Sequence, residues 1–132
     1  MIKERNIMGL FDGLMGNASE VKADRLEEEL KDLLIPSERI KHAYKVIRDL
    51  FIFTDKRLIL IDKQGMTGKK TEYRSIPYKS IVHFSVETAG TFDLDAELKI
   101  WISGSQLPIQ KNFNKSSNIY DVQRVLAENV LK

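Results

Sequence analysis

The sequence predicts a mainly β fold, a seven-stranded antiparallel barrel or sandwich with a C-terminal capping α-helix, preceded by N-terminal helices. Three observations predict it. The apolar period changes from about 3.6 to about 2 residues near Glu38. From there to Phe113, seven strand-like runs follow one another through short turns, which implies antiparallel pairing, because parallel crossovers need about a dozen residues or more. The final run, SSNIYDVQRVLAENVLK, returns to helical spacing, with Ile119, Val122, Leu126 and Val130 as its stripe and Ser117 or Asn118 as its cap.

The strands can be justified in order. ERIKHAYKVI puts Ile40, His42, Tyr44 and Val46 on one face and Arg39, Lys41 and Lys45 on the other. LFIFT and RLILI, joined through Asp55-Lys56, are apolar on both faces and are expected at the centre of the β-core. Gln64 to Lys69 makes the next turn, and KKTEYRSIP reads as a polar edge strand whose lysines discourage unwanted pairing. Tyr78-Lys79-Ser80 leads into IVHFSVET. In LDAELKIWI, the residues Leu94, Ala96, Leu98, Ile100 and Ile102 alternate with polar ones. Ser103-Gly104-Ser105 then turns the chain into QLPIQKNF. Because a closed or nearly closed sheet leaves few exposed edges, the C-terminal helix is expected to plug an open end.

Residues 1–36 read as an N-terminal helical extension, and residues 37–132 as the barrel with its helix. Ile7, Leu10, Phe11, Leu14 and Met15 recur at helical spacing. ASEVKADRLEEELKDLL is the stronger helix, with Leu26, Leu30, Leu33 and Leu34 in one stripe. Ile35-Pro36 ends it, since the residue before proline is pushed out of helical geometry.

Composition narrows the function. A chain of 132 residues supports one core, and 42% hydrophobic with 30% charged residues is ordinary for a globular protein. The absence of cysteine excludes disulfides, thiolate zinc sites and cysteine nucleophiles. A net charge of +2 is too small to expect a nucleic-acid partner. The charge is uneven: residues 1–36 hold five Lys/Arg and eight Asp/Glu, a balance of −3, whereas the remainder holds sixteen and eleven, +5. No apolar run approaches the roughly 20 residues that span a bilayer. Glu4 and Asp12 interrupt the pattern of a secretory leader, so a cytoplasmic protein is expected, with contact at the membrane periphery left open.

No motif makes a case for catalysis, a cofactor or a metal. KQGMTGKK has two residues between its glycines, lacks the Ser/Thr of a phosphate loop, and precedes a strand instead of a helix. His42 and His83 lie in strands without ligand spacing, and no GxSxG elbow occurs. Asp93, Asp95 and Glu97 alternate on one strand face but have no turn to wrap around an ion.

What remains is surface. Trp101 falls on the strand face of Glu97 and Lys99, away from the core, where it is either an interface anchor or covered by a helix. With Leu10, Phe11, Leu14, Leu26 and Leu30 it makes the set of candidate oligomer or partner contacts. The segment from Ile7 to Met15 lacks the Lys/Arg-rich face of a membrane helix, which favours self-association or packing on its own barrel. Lys63, Lys69 and Lys70 are candidate anionic-lipid contacts; at about 1 kcal/mol per basic residue they would give marginal adsorption.

The run FTDKRLILIDKQGMTGKKTEYRSIPYKSIVHFSVETAG closely resembles the bacterial pleckstrin-homology (PH) domain family of small single-domain proteins, and MGLFDGLMGNASEV resembles the way its members begin. The resemblance covers nearly the whole chain from Met8 onward. It implies a PH-like barrel with a tendency to assemble into homo-oligomeric rings but no established activity, and the function expected is that of a non-enzymatic module that contacts copies of itself and other proteins. It makes Met8 a natural first residue. It supplies no defined ligand: the first hairpin, Val46 to Leu50, lacks the lysines and arginines with which eukaryotic PH domains hold phosphoinositides.

Overall fold

Two strands are apolar on both faces, and each face has its own core. In the computed structural model, which describes residues 20–46, 49–64, 70–88, 96–113 and 119–132, β2 (Asp49–Thr54) and β3 (Arg57–Gln64) lie at the centre of a four-stranded antiparallel sheet. Its order is β1-β2-β3-β4, with β1 spanning Ile40–Val46 and β4 spanning Lys70–Pro77. A second antiparallel sheet has the order β5-β6-β7, formed by Ile81–Thr88, Ala96–Ile102 and Ile109–Phe113. The corner between the sheets is a short 3-10 helix, Tyr78–Ser80. Seven strands, antiparallel pairing and the central place of LFIFT and RLILI therefore agree with the sequence reading, as does the edge position of β4.

The inner core lies between the sheets. Phe51, Phe53, Leu58 and Leu60 meet Leu98, Ile100 and Phe113 there. The Phe51 and Phe113 rings pack edge-on, with centroids 5.5 Å apart. The C-terminal helix α2 (Ile119–Val130) closes this core with Ile119, Val122, Val125 and Leu126, and Val130 packs partly against it.

The outer core lies on the other side of the first sheet. Leu50, Ile52, Ile59 and Ile61 are covered by Ala23, Leu26 and Leu30, the latter two on and just after helix α1 (Glu20–Glu29). Leu26 and Leu30 are 0% exposed. Burying a leucine fully contributes about 1.5–3 kcal/mol, so α1 is bound firmly to the sheet. The helix ends at Glu29, before the end of the run that predicted it at Leu34. After Glu29 the chain tightens into i→i+3 turns, with Leu33 N–H donating to the Leu30 carbonyl at 2.8 Å. That tightening leaves the Leu33 carbonyl free for the Arg57 guanidinium, at 2.9 Å.

Two departures from strict alternation matter. Ile40 and Tyr44, expected on one face, belong to opposite cores, because the pairing with β2 shifts register between Ile40 and His42. The extra residue of this bulge, Lys41, reverses the phase of the strand. A second shift, between Ile81 and His83, leaves Val82 62% exposed. The Ser103-Gly104-Ser105 turn forms as expected, with Gly104 at φ +85, a conformation that favours glycine. Gly65 and Gly68, between β3 and β4, lie outside the described residues.

Candidate interaction surface

The two sheets are finished differently. The outer face of the first is closed by α1. No described element covers the outer face of the second, which presents His83, Ser85 and Glu87 from β5, Glu97, Lys99 and Trp101 from β6, and Gln110 from β7. The alternation of inward Leu98 and Ile100 fixes Trp101 outward, as expected. The residue directly opposite it in the ladder is His83, and the rings stack at 4.3 Å with 24° between their planes. The pair gives this face a flat aromatic plate, the kind of rigid feature that anchors interfaces. Lys99 flanks it, 3.5 Å from Glu97, which also accepts a hydrogen bond from Gln110.

Buried polar groups elsewhere hold the frame. Glu38, only 3% exposed, receives both arms of Arg57, at 2.9 and 2.8 Å, the Thr54 hydroxyl at 2.6 Å and the Ile35 N–H at 3.2 Å. Burial alone would raise the Glu38 pKa; these donors outweigh it and hold the carboxyl below its ordinary value. The Thr54 hydroxyl also accepts the N–H groups of Lys56 and Arg57, which shapes the turn from β2 to β3. Tyr78 donates to the Thr54 carbonyl at 2.7 Å. At the opposite end of these strands, Lys111 projects inward from β7 and meets Asp49 at 2.8 Å and Asp62 at 3.3 Å. Tyr44 is buried and its hydroxyl pKa is pushed up to about 12, by burial and then by the charges of Asp121 and Glu128, so it stays protonated.

A shallow cleft of about 470 Å³ runs along the polar side of α1 and the turn after it. Asp24, Glu27 and Arg39 line it, but Arg39 already bonds both carboxylates at 3.0 Å. Among the described residues, no three His, Asp or Glu side chains are grouped to hold a metal ion. Among them too, no helix is long and apolar enough to cross a membrane.

The candidate contacts therefore separate. Leu26 and Leu30 do not form a partner surface: they are sealed against Ile52 and Ile59 of their own chain, because the first sheet has apolar side chains on its outer face that need cover. Trp101 stands on the uncovered face. Leu10, Phe11, Leu14 and Lys69 lie outside the described residues, as do the side chain of Lys63, Arg48 of the first hairpin, and Asp93 and Asp95. Lys70 is exposed at the start of the edge strand β4. Sequence reasoning missed the pairing of His83 with Trp101, though the signal was available in the alternation of both strands. It also missed the two ionic clusters, whose members are far apart in the chain.

Comparison with known proteins agrees with this architecture. A family model described as "Bacterial PH domain" matches residues 9–130. An uncharacterised protein of Bacillus subtilis (strain 168), YjqA, is 62% identical over 121 residues, covering 91% of this chain and 97% of that protein. A pleckstrin homology domain of Shewanella amazonensis SB2B superposes with a TM-score of 0.78 at 55% identity, over 83% of this chain and 99% of the other. A DUF1696-family protein with a pleckstrin-homology domain, from Shewanella loihica PV-4, gives 0.75 at 50% identity, over 87% and 96%.

Proposed function

This chain belongs to the bacterial PH domain family, and on that premise we propose that it is a non-enzymatic interaction module that assembles with copies of itself and offers a surface to protein partners. One observation carries the reading: no described element covers the second sheet's outer face around the His83–Trp101 stack, while the first sheet's outer face is closed by α1. An aromatic plate of exposed His83 and half-buried Trp101, ringed by Ser85, Lys99 and Gln110, has the composition of an interface centre with a polar rim. A closed ring of copies is the assembly that the family resemblance implies, built from one repeated head-to-tail contact.

Light scattering on a size-exclusion column tests this. The expected mass is a multiple of the 15.2 kDa chain, and Trp101→Ala should shift it toward the single chain without unfolding it. A strict monomer at micromolar concentration would remove the assembly from the reading.

A further inference from the structure

Among the described residues, five large hydrophobic side chains stand in solvent, and two of them, Val82 and Leu107, mark the same end of the second sheet. Leu107 is the most exposed of the five, at 82%. It belongs to the connection between β6 and β7, which turns tightly after Ile102. There the Ser105 N–H donates to the Ile102 carbonyl at 3.0 Å. Ile102 lies opposite Ile81 in the ladder, and Val82 is the residue left out by the register shift that follows Ile81.

Two hydrogen bonds bring further turns to this end. The Ser103 N–H donates to the Ser80 carbonyl at 2.8 Å, which joins the 3-10 helix, with its exposed Lys79, to the β6–β7 turn. The Tyr78 hydroxyl, bonded to the Thr54 carbonyl at 2.7 Å, adds the β2–β3 turn and exposed Lys56. Neither lysine makes an ion pair among the described residues. The one acid of these turns, Asp55, accepts the backbone N–H of Arg39 at 2.9 Å. The charged groups beside it answer one another, Glu38 with Arg57 and Arg39 with Asp24 and Glu27. Two unpaired cations therefore accompany the two exposed aliphatic side chains.

These groups stand on turns at the end of the sandwich, so they make a convex tip and not a pocket. A tip of this kind encloses no ligand, but it can enter a soft surface. The headgroup layer of an anionic bilayer matches it: aliphatic side chains reach the acyl boundary while lysines keep their ammonium groups among the phosphates.

We propose that this end of the sandwich is a peripheral membrane contact, with Leu107 and Val82 entering an anionic bilayer and Lys56 and Lys79 meeting its phosphates. It lies at the opposite end of the strands from Lys70 and the first hairpin, and it does not depend on the assembly proposed above.

Co-sedimentation of the full chain with vesicles of phosphatidylcholine and phosphatidylglycerol in equal parts tests this. The expected result is binding that weakens as salt rises and is much reduced on phosphatidylcholine alone. Leu107→Ser should weaken it about tenfold, equivalent to about 1.4 kcal/mol, with an unchanged circular dichroism spectrum. Lys79→Glu should weaken it too, whereas Lys70→Glu, at the other end, should leave it as it was. The chain has no cysteine, so Leu107→Cys carries a single environment-sensitive dye, whose emission should move to shorter wavelength on vesicles.

No sedimentation at low salt, equal binding by Leu107→Ser and the wild type, or a dye that does not shift on vesicles would overturn the proposal. So would a loss confined to Lys70→Glu, which moves the contact to the opposite end. A dye shift that follows protein concentration without lipid also overturns it, since the occupant would then be a second copy. A monomer that binds the vesicles rejects the assembly alone; an assembled protein that ignores them rejects the membrane contact alone.

Discussion

Lys111 and Asp49, 62 positions apart in the chain, meet at 2.8 Å and tie the two sheets together. Lys111 belongs to the middle of β7, opposite Leu98, so its side chain enters the space between the sheets where an apolar residue would be expected. Asp62 accepts a second bond from it, at 3.3 Å. The ammonium is raised above its ordinary pKa: burial opposes the charge, but the two carboxylates outweigh burial. Asp49 is raised as well, first by burial and further by the nearby Asp62. One cation thus holds two acids that would otherwise repel.

Lys111→Met keeps the length of the side chain and removes the charge. At neutral pH it should cost about 1–3 kcal/mol, below the figure for fully buried pairs because these side chains retain 16–30% exposure. The loss should shrink as pH falls, since protonating Asp49 relieves the repulsion that the substitution leaves behind. Urea unfolding at pH 7 and pH 4 checks both points; an equal loss at the two values would reject the account.

Glu38 and Arg57 make the second clasp, and here the acid is lowered. A carboxyl with a folded pKa below its unfolded value stabilises the fold above the unfolded value, near 4.5, and the contribution is lost as pH falls through the folded one. Glu38→Gln should therefore flatten the acid side of the plot of melting temperature against pH. Glu38→Ala should cost about 3–5 kcal/mol at neutral pH, because Arg57 keeps its charge without its partner. A wild-type acid limb unchanged in Glu38→Gln would reject this assignment.

How much of this could be read from the sequence depended on the range of the interaction. The two-faced apolar character of Leu50–Phe53 and Leu58–Ile61 announced central strands, because alternation is a local property of adjacent residues. It did not reveal that Leu26 and Leu30, expected as partner contacts, cover the second apolar face of those strands. The bulges at Lys41 and Val82 were hidden, since one unpaired residue reverses the face without leaving a composition signal. Glu38–Arg57 and Lys111–Asp49 were hidden for another reason: they depend on which strands lie side by side. For the interaction surface, Trp101 was legible as an outward residue, but that no described element covers its face became visible only once α1 was found on the other sheet.

If α1 belongs to the fold, Leu30→Ala should destabilise the whole molecule. Leu30 is 0% exposed against Ile52 and Ile59, and truncating a fully buried leucine costs about 2–5 kcal/mol. Urea unfolding, followed by circular dichroism, should show one cooperative transition at a lower midpoint. Two separate transitions, with the later one unmoved, would mean that the helix is an independent appendage.

The single tryptophan makes the open sheet face directly observable. Trp101 is half-buried in one chain, in part by His83, so its emission in a monomer should lie toward that of an exposed indole. Removing the stack with His83→Ala should shift emission to longer wavelength and cost about 0.5–1.5 kcal/mol, the range for an aromatic pair. Occupation of the same face by another molecule should do the reverse, moving emission to shorter wavelength and slowing acrylamide quenching. Dilution from high micromolar to nanomolar protein therefore separates two outcomes. A concentration-dependent blue shift, lost in His83→Ala, places this face inside an interface between copies. Emission that is constant on dilution while light scattering reports assembly would assign the subunit contact to some other surface.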